Sequence, residues 1–410
     1  MGPAKVTTVL ATAPSDLRRK ELPAALAVLC VTEITSWGVL YYAFPVMAPT
    51  LAADTGWSVP AATAAFSGGL VVSALVGIPV GRWLDRIGPR AVMTVGSAIA
   101  VPAVVGIATA RTFIVFVVAW LLAGVAMAGT LYPPAFAALT RWWGERRVTA
   151  LTGLTLAAGL TSTIFGPLTA ALLGALGWRG TYLVLAVVLA VVTVPGHLWG
   201  LRGHWPAPDQ QAHPAHADPG RAVRSRPFVL LTVALTGGAF TVYAVLVGQV
   251  PLVIERGMST TAAAWTLGLG GVGQVLGRMS YGLLERVSGV RTRTIGVLAL
   301  CAATTALFGL LPGPAVALVV AAMLTGAARG IFTLLQATAV TDRWGSAYYG
   351  RLNGVLSAPP TLATALAPWA GAALAAPLGG YPGVFVLLAA VALVAAAAAL
   401  GSVPRDHLRT

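Results

Sequence analysis

The chain alternates long apolar runs with short polar ones. The hydrocarbon core of a bilayer, about 30 Å thick, takes about 20 apolar residues as helix, and twelve runs of that order occur. Six fill the first half, at 22–46, 61–80, 91–110, 113–139, 148–173 and 182–199. Six fill the second, at 228–253, 262–284, 294–311, 315–340, 352–376 and 383–400. The runs are continuous rather than alternating and much longer than strands. The pattern therefore predicts an all-α membrane protein with twelve transmembrane helices. The longest polar interruption, LRGHWPAPDQQAHPAHADPGRAVRSRP at 201–227, is rich in proline and separates the two groups of six. It predicts a linker between an N-terminal six-helix bundle over 1–200 and a C-terminal one over 228–410.

Shifting the sequence by 201 residues superimposes much of it on itself. Tyr42-Ala43 falls on Tyr243-Ala244, GWS at 56–58 on GMS at 257–259, Gly129 on Gly330, and Trp143-Gly144 on Trp344-Gly345. Leu151, Gly153 and Pro167 fall on Leu352, Gly354 and Pro368. Rare residues matching at one fixed offset indicate a duplicated six-helix unit. Parallel repeats about an axis normal to the membrane are the plan of a rocking carrier, whose substrate binds near the midplane between the halves.

Composition changes the picture little and charge changes it more. Of the 410 residues 57% are hydrophobic and 9% charged, with mean hydropathy +0.83, where a soluble domain carries about 25% charged residues. The net charge of +14 raises the question of nucleic acid, which the placement of the charges answers. The N-terminus, the even-to-odd connections and the C-terminus hold 21 of the 26 Lys and Arg, and the opposite side holds Arg111, Arg179 and Arg256. Dispersed arginines in short loops make no continuous nucleic-acid footprint. They do make one basic face and one nearly neutral face, and the positive-inside rule then puts both termini in the cytoplasm, in a cytoplasmic (inner) membrane. Cys30 and Cys301 lie in apolar runs and are poor disulfide candidates. The polar start, MGPAKVTTVLATAPSDLRRK, lacks a cleavable signal pattern. No catalytic constellation, metal cluster or cofactor motif stands out. His213 and His216 have only a weakly metal-like spacing within the linker, and His197, His204 and His407 are scattered. The expected partners are the lipid bilayer and a small anionic solute, with no nucleic acid, and a monomer is expected.

Three ionisable residues sit well inside predicted helices: Glu33, Arg278 and Arg329. Each costs about 2.5–3.5 kcal/mol or more at the bilayer centre unless paired or facing a wet cavity. Arg329 lies eleven residues from the basic end of its run, or about 16 Å of helix, too far for its side chain to reach water. Moving by 201 residues turns Arg329 into Ala128, Arg278 into Gly77 and Glu33 into Ala234. A charge needed to build the fold tends to appear in both repeats, whereas a charge needed for an asymmetric ligand need appear once. Arginine stays protonated, and its planar fork suits a carboxylate in bidentate fashion. Thr325, Thr333 and Gln336 share or flank the helical face of Arg329, and Gln274 and Tyr281 flank Arg278. Trp37, Leu40 and Phe44 extend the face of Glu33, with Tyr41 at its side. Two roles for Glu33 stay open: a proton carrier kept neutral by desolvation, or a fixed counter-ion for one of the arginines.

GRWLDRIGPR at 81–90, between the second and third runs, resembles the G-x-x-x-D-R-x-G-R-R motif of the major facilitator superfamily. Gly81, Asp85, Arg86, Gly88 and Arg90 match, and Pro89 replaces a basic residue. GLLERVSGVR at 282–291 is a degenerate copy that carries Glu285 and Arg286. The resemblance implies the twelve-helix major facilitator fold, with these residues forming a gate at the cytoplasmic face. There the glycine permits close helix approach, and the carboxylate bonds to arginines. RWWGERRVTALTGLTLAAGLTSTIFGPLTAALLGALGWR at 141–179 and GRMSYGLLER at 277–286 are similar to the fifth and eighth spans of monocarboxylate transporters and oxalate/formate antiporters. In that group the eighth-span arginine, here Arg278, grips substrate carboxylate. Where the proton-coupled members have an aspartate four residues earlier, this chain has Gln274, which leaves proton coupling through that position in doubt. The resulting expectation is a secondary carrier of a small organic anion working by alternating access. The competing one is a proton-coupled multidrug efflux antiporter, whose fifth-span pattern is matched by Gly153, Gly166 and Pro167 but broken at Ser162. Two buried cations would repel a cationic drug.

Overall fold

The computed structural model describes residues 15–143, 146–203, 205, 219–344 and 349–404, without the side chains of 15–21, 85, 147, 148, 219 and 349–351. The Asp85 side chain, His204, linker residues 206–218 with His213 and His216, and His407 lie outside the described residues.

The described residues are helical, with no strand among them. Nine stretches are long and apolar enough to cross a membrane: Leu22–Thr55, Val59–Leu84, Arg86–Thr109, Phe113–Trp143, Thr149–Gly200, Arg226–Glu255, Val290–Leu310, Ala315–Thr338 and Tyr381–Ala399. Thr149–Gly200 has 52 residues and is broken at Gly177, whose φ of 66° is a left-handed value suited to glycine. It therefore supplies spans five and six. Spans eight, Thr260–Val287, and eleven, Tyr349–Ala375, have 28 and 27 residues, about 40 Å of helix each. They are less apolar because one carries Gln274, Arg278, Glu285 and Arg286 and the other Pro359, Pro360 and Pro368. The count of twelve fits this arrangement.

Two local differences from the sequence pattern have simple causes. Residues 81–90 are not a loop: helix runs from Val59 to Thr109, interrupted only at Gly88 (φ 80°, ψ 171°). A single left-handed glycine is enough to turn span two into span three. The described end of the linker contains a short helix, Pro219–Arg224.

The repeat is visible in backbone detail at the neutral face. The first span of each half ends at a left-handed glycine, Gly56 (φ 73°) and Gly257 (φ 87°). The next helix is then capped by a serine two residues on. Ser58 Oγ accepts from the Ala61 amide at 3.3 Å and Ser259 Oγ from the Ala262 amide at 3.2 Å, the usual N-cap arrangement. The matched GWS and GMS triplets are this turn. Asp54 Oδ2 accepts from Trp178 Nε1 at 2.8 Å, and Glu255, 201 residues later, accepts from the Tyr381 amide at 3.0 Å. In each half the acid at the end of the first span thus holds the start of the sixth. Arg179 donates to the Ala108 carbonyl at 2.9 Å and Arg256 to the Gly309 carbonyl at 3.0 Å, and these two carbonyls are again 201 apart.

Packing differs between the two faces. Toward the neutral face one core runs through both halves, joining Tyr41, Phe44 and Phe66 to Val245, Leu252 and Ala264. Thr163 Oγ1 donates to the Gly268 carbonyl at 2.7 Å and the Trp369 amide to Ser67 Oγ at 3.2 Å, both across the halves. Toward the basic face the cores are separate. One is built around Phe228, Leu298, Phe332 and Leu356, another around Leu29, Met93, Leu139 and Leu154. The halves thus share a core toward the neutral end and keep separate cores toward the basic one.

Candidate functional site

Spans eight and ten approach backbone to backbone. A Cβ at Gly326 would overlap the Gly270 carbonyl and one at Gly330 the Gln274 carbonyl, while Gly273 and Gly277 meet the carbonyls of Met323 and Ala327. Close approach through small residues is the common way helices associate in lipid. Here it sets two polar side chains against each other: Arg329 Nη2 donates to Gln274 Oε1 at 2.8 Å. Arg329 is 7% exposed and its Nε has no partner. It therefore does not face lipid, and its hydrogen-bonding capacity is only partly used. It lines a small cavity of about 20 Å³ together with Gln249, Thr304, Thr305, Thr325 and Gly270, all from the second half. A permanent cation beside hydroxyls and an amide can take up an anion and satisfy the remaining fork.

Arg278, one turn from Gln274 on span eight, is 6% exposed. It reaches across the halves and donates from Nη1 to the carbonyl of Thr155 on span five. Its Nε is also unpartnered. Gly159 leaves room for this reach, since a Cβ there would come within 3.2 Å of Arg278 Nη1. Glu33 on span one is fully buried, and neither carboxyl oxygen has a hydrogen-bond partner. The indole N–H of Trp37 is the polar group set beside this carboxyl. Among the described residues Glu33 forms no ion pair with Arg278 or Arg329. Just beyond Glu33, span one passes through a π-helical turn, Gly38–Tyr42, a local widening that is frequent at functional positions. The corresponding stretch of span seven lies inside an ordinary α-helix.

The other residues singled out in the sequence are more dispersed. Tyr41 is 1% exposed with an unpartnered hydroxyl, and its ring meets that of Tyr243 across the halves at 6.4 Å. Thr333 donates to the Arg329 carbonyl at 2.9 Å, a bond within its own helix, and Gln336 is half-buried. Tyr281 is turned away from Arg278. It bonds Thr338 at 2.8 Å beside the ion pair of Arg293 with Asp342 at 2.7 Å. Of the gate residues, Arg86, Glu285 and Arg286 are exposed. Arg90 donates from Nε to the Leu198 carbonyl at 2.9 Å within the first half. Gly81 has nothing within 4 Å of its missing Cβ, so the close approach expected there is not made in this arrangement. Gly88 is buried against Trp205.

Two features escaped the sequence. Arg343, counted as a loop charge, is 2% exposed. It donates to the Ser402 carbonyl at 2.8 Å, the Ala339 carbonyl at 3.1 Å and Thr294 Oγ1 at 2.7 Å. Burial pushes its guanidinium down to about 10, still charged at neutral pH, and the bonds describe a structural tie. The second is a group of rings around the buried charges: Trp37 packs on Tyr132 at 5.0 Å and on Tyr41 at 5.5 Å. Tyr132 lies within electrostatic reach of both Arg278 and Glu33, and Tyr243 within reach of Arg278 and Arg329. The place of Trp37 and Tyr41 beside Glu33 and the match of Tyr42 with Tyr243 at the repeat offset were legible in the sequence, and the meeting with Tyr132 was not.

Residues 29–314 match the sequence profile of the Major Facilitator Superfamily. Monocarboxylate transporter 11 of Mus musculus is 33% identical over 214 residues, 50% of this chain and 46% of that protein. The chain thus spans about half the length of the first curated relatives it matches. Monocarboxylate transporter 13 of Rattus norvegicus is 28% identical over 357 residues, covering 85% and 78% of the two chains. A bacterial homologue of the human lysosomal transporter Spinster, in an inward-facing and unoccupied conformation, superimposes with a TM-score of 0.73 at 17% identity, over 97% of this chain and 99% of the other. That likeness concerns the fold.

Proposed function

The chain belongs to the major facilitator superfamily, and on that premise we propose that it is a secondary carrier of a small organic anion, a carboxylate, working by alternating access of its two halves. Arg329 carries the proposal: a guanidinium 7% exposed, inside a membrane span, held by one amide and with unused donors on a polar cavity. The similarity to monocarboxylate transporters points the same way. Arg278 supplies a second cation whose bond to the Thr155 carbonyl joins the halves. A carboxylate bound between the two arginines would give both a stronger, charge-assisted partner. It would also compete with the Thr155 carbonyl for Arg278, and so act on the bond that joins the halves.

With the basic face in the cytoplasm, the end with separate cores would open inward, and the shared core would close the outside. Exchange of seal and opening would carry the anion across. Gly81, Asp85, Arg86 and their second-half counterparts Glu285 and Arg286 would close the cytoplasmic end in the opposite state. Glu33, fully buried and without an ion partner among the described residues, serves as the proton site rather than a fixed counter-ion. Protonation makes burial of the carboxyl tolerable, and a hydrated, anion-occupied cavity favours release. The test is uptake of labelled acetate, lactate and pyruvate into proteoliposomes with and without an inward proton gradient. Saturable uptake that the gradient accelerates is the expected result. Expulsion of cationic drugs with no carboxylate flux would overturn the proposal in favour of a multidrug antiporter.

A further inference from the structure

The two halves bring chemically unlike side chains to the middle of the bundle. The second half contributes the cations, Arg278 and Arg329. The first half contributes rings: Trp37 and Tyr41 of span one and Tyr132 of span four, with centroids 5.0 and 5.5 Å apart around Trp37. Behind them Phe66 meets Tyr41 at 5.2 Å and is fully buried, so the exposed rings rest on a packed support. Trp37 and Tyr132 keep part of their surface accessible. Trp37 packs between Tyr132 and the buried Tyr41, whose ring meets Tyr243 of the other half at 6.4 Å, so this group of rings faces the second half.

The repeat separates scaffold from site here as it does for the charges. Moving by 201 residues turns Trp37 into Gly238, Tyr41 into Val242 and Tyr132 into Thr333. Trp37, Tyr41 and Tyr132 are thus found in one half only, as the cations are found only in the other, and Tyr243 is the ring of the second half that meets them. Tyr41 Oη is buried without a partner, which leaves a donor on the aromatic side for a ligand atom. Span four is also broken immediately before Tyr132, where Leu131 is extended (φ −91°, ψ −170°). The break, followed by Pro133 and Pro134, sets the ring off the line of the preceding helix.

We infer that the carried anion is an aryl carboxylate, its ring laid against Trp37 and Tyr132 and its carboxylate directed to Arg278 and Arg329. This rests on the anion-carrier reading and adds the second end of the substrate. Offset and edge-on ring packing favours an aromatic group over an aliphatic one of equal size. A short carboxylate such as acetate would fill the cationic side and leave the rings without a partner.

The experiment measures half-saturation of proteoliposome uptake for phenylacetate, cyclohexylacetate and acetate, with benzylamine and 2-phenylethanol as competitors. Phenylacetate is expected to half-saturate at a concentration about tenfold or more below acetate, a difference of about 1.4 kcal/mol, with cyclohexylacetate between them. In Trp37→Ala and in Tyr132→Ala the preference for phenylacetate over acetate should fall about tenfold. Trp37→Phe, which keeps a ring, should retain most of it and controls for misfolding. Acetate binding as tightly as phenylacetate, or an unchanged preference in both alanine variants, overturns the aryl assignment while leaving the carboxylate reading standing. Competition by 2-phenylethanol or benzylamine with no flux of any carboxylate would instead overturn the anion reading beneath it.

Discussion

Asp54 and Glu255 stand 201 residues apart, and each holds the start of the sixth span in its own half. Ala108 and Gly309 stand the same distance apart, and each carbonyl receives a guanidinium. At the midplane this correspondence ends. Glu33, Arg278 and Arg329 meet Ala234, Gly77 and Ala128, and the π-turn of span one meets a regular helix. The neutral-face end is where two copies of one bundle are built alike, and the midplane is where they have been made different. A duplicated scaffold separates construction from use: what is shared holds the helices, and what is unshared is left for the unsymmetrical ligand proposed above.

The strongest way to break this comparison is to remove the unshared cation. Arg329→Ala is expected to lower carboxylate uptake about 100-fold or more, since losing one member of a buried charged pair costs about 2–5 kcal/mol. Arg329→Lys should recover no more than about a tenth of it, lacking the planar fork. Near-normal uptake by both variants, with the protein correctly inserted, would mean that the asymmetric charge has no part in binding. Next in size is Glu33→Gln. The ratio of gradient-driven uptake to counterflow exchange should fall about tenfold, about the 1.4 kcal/mol of one decade. A parallel loss of both rates would return Glu33 to the counter-ion role.

The architecture was legible in the sequence because a bilayer imposes length and apolarity residue by residue, and a duplication writes each constraint twice. The turn at Gly56 and Ser58 could be read from its copy at Gly257 and Ser259. The partners of the buried charges could not. Arg278 bonds a backbone carbonyl, Thr155, which carries no side-chain signal. Arg343 looked like a loop charge because hydropathy does not show that the chain after span twelve folds back to place Ser402 against it. Tyr281 shares a helix with Arg278 at a favourable spacing, yet its neighbours across the bundle, Thr338 and Asp342, decide where it points. The rings of Trp37 and Tyr132 come from spans one and four, and their meeting is a tertiary fact.

A sharper comparison uses one clash in both halves. A Cβ at Gly124 would overlap the Gly69 carbonyl, and one at Gly326 the Gly270 carbonyl, with Gly69 and Gly270 at the repeat offset. Gly124→Ala and Gly326→Ala should each destabilise the detergent-solubilised protein by about 1–3 kcal/mol, seen as similar falls in thermal midpoint. Their transport should diverge, because Gly326 also lines the Arg329 cavity and Gly124 does not. Equal transport defects would show that helix spacing alone, rather than the unshared chemistry, limits the carrier.

The smallest effects belong at the shared end. Asp54→Ala removes an acceptor from Trp178 Nε1, and Glu255→Ala removes one from the Tyr381 amide at the start of the last span. A net hydrogen bond of this kind contributes about 1 kcal/mol. Glu255 is also placed to favour the positive end of the helix it caps, by about 0.3–1 kcal/mol. Each variant should therefore lower the thermal midpoint by a few degrees at most, with Glu255→Ala slightly the larger. The two sites sit in different halves and share no partner, so their effects in the double variant should add within about 0.5 kcal/mol. Half-saturation for the carboxylate should stay the same in all three, because neither acid lies near Arg278 or Arg329. A shift in half-saturation for Glu255→Ala alone would mean that the neutral-face end is unsymmetrical too, and that the boundary between scaffold and site lies closer to that face than the repeat implies.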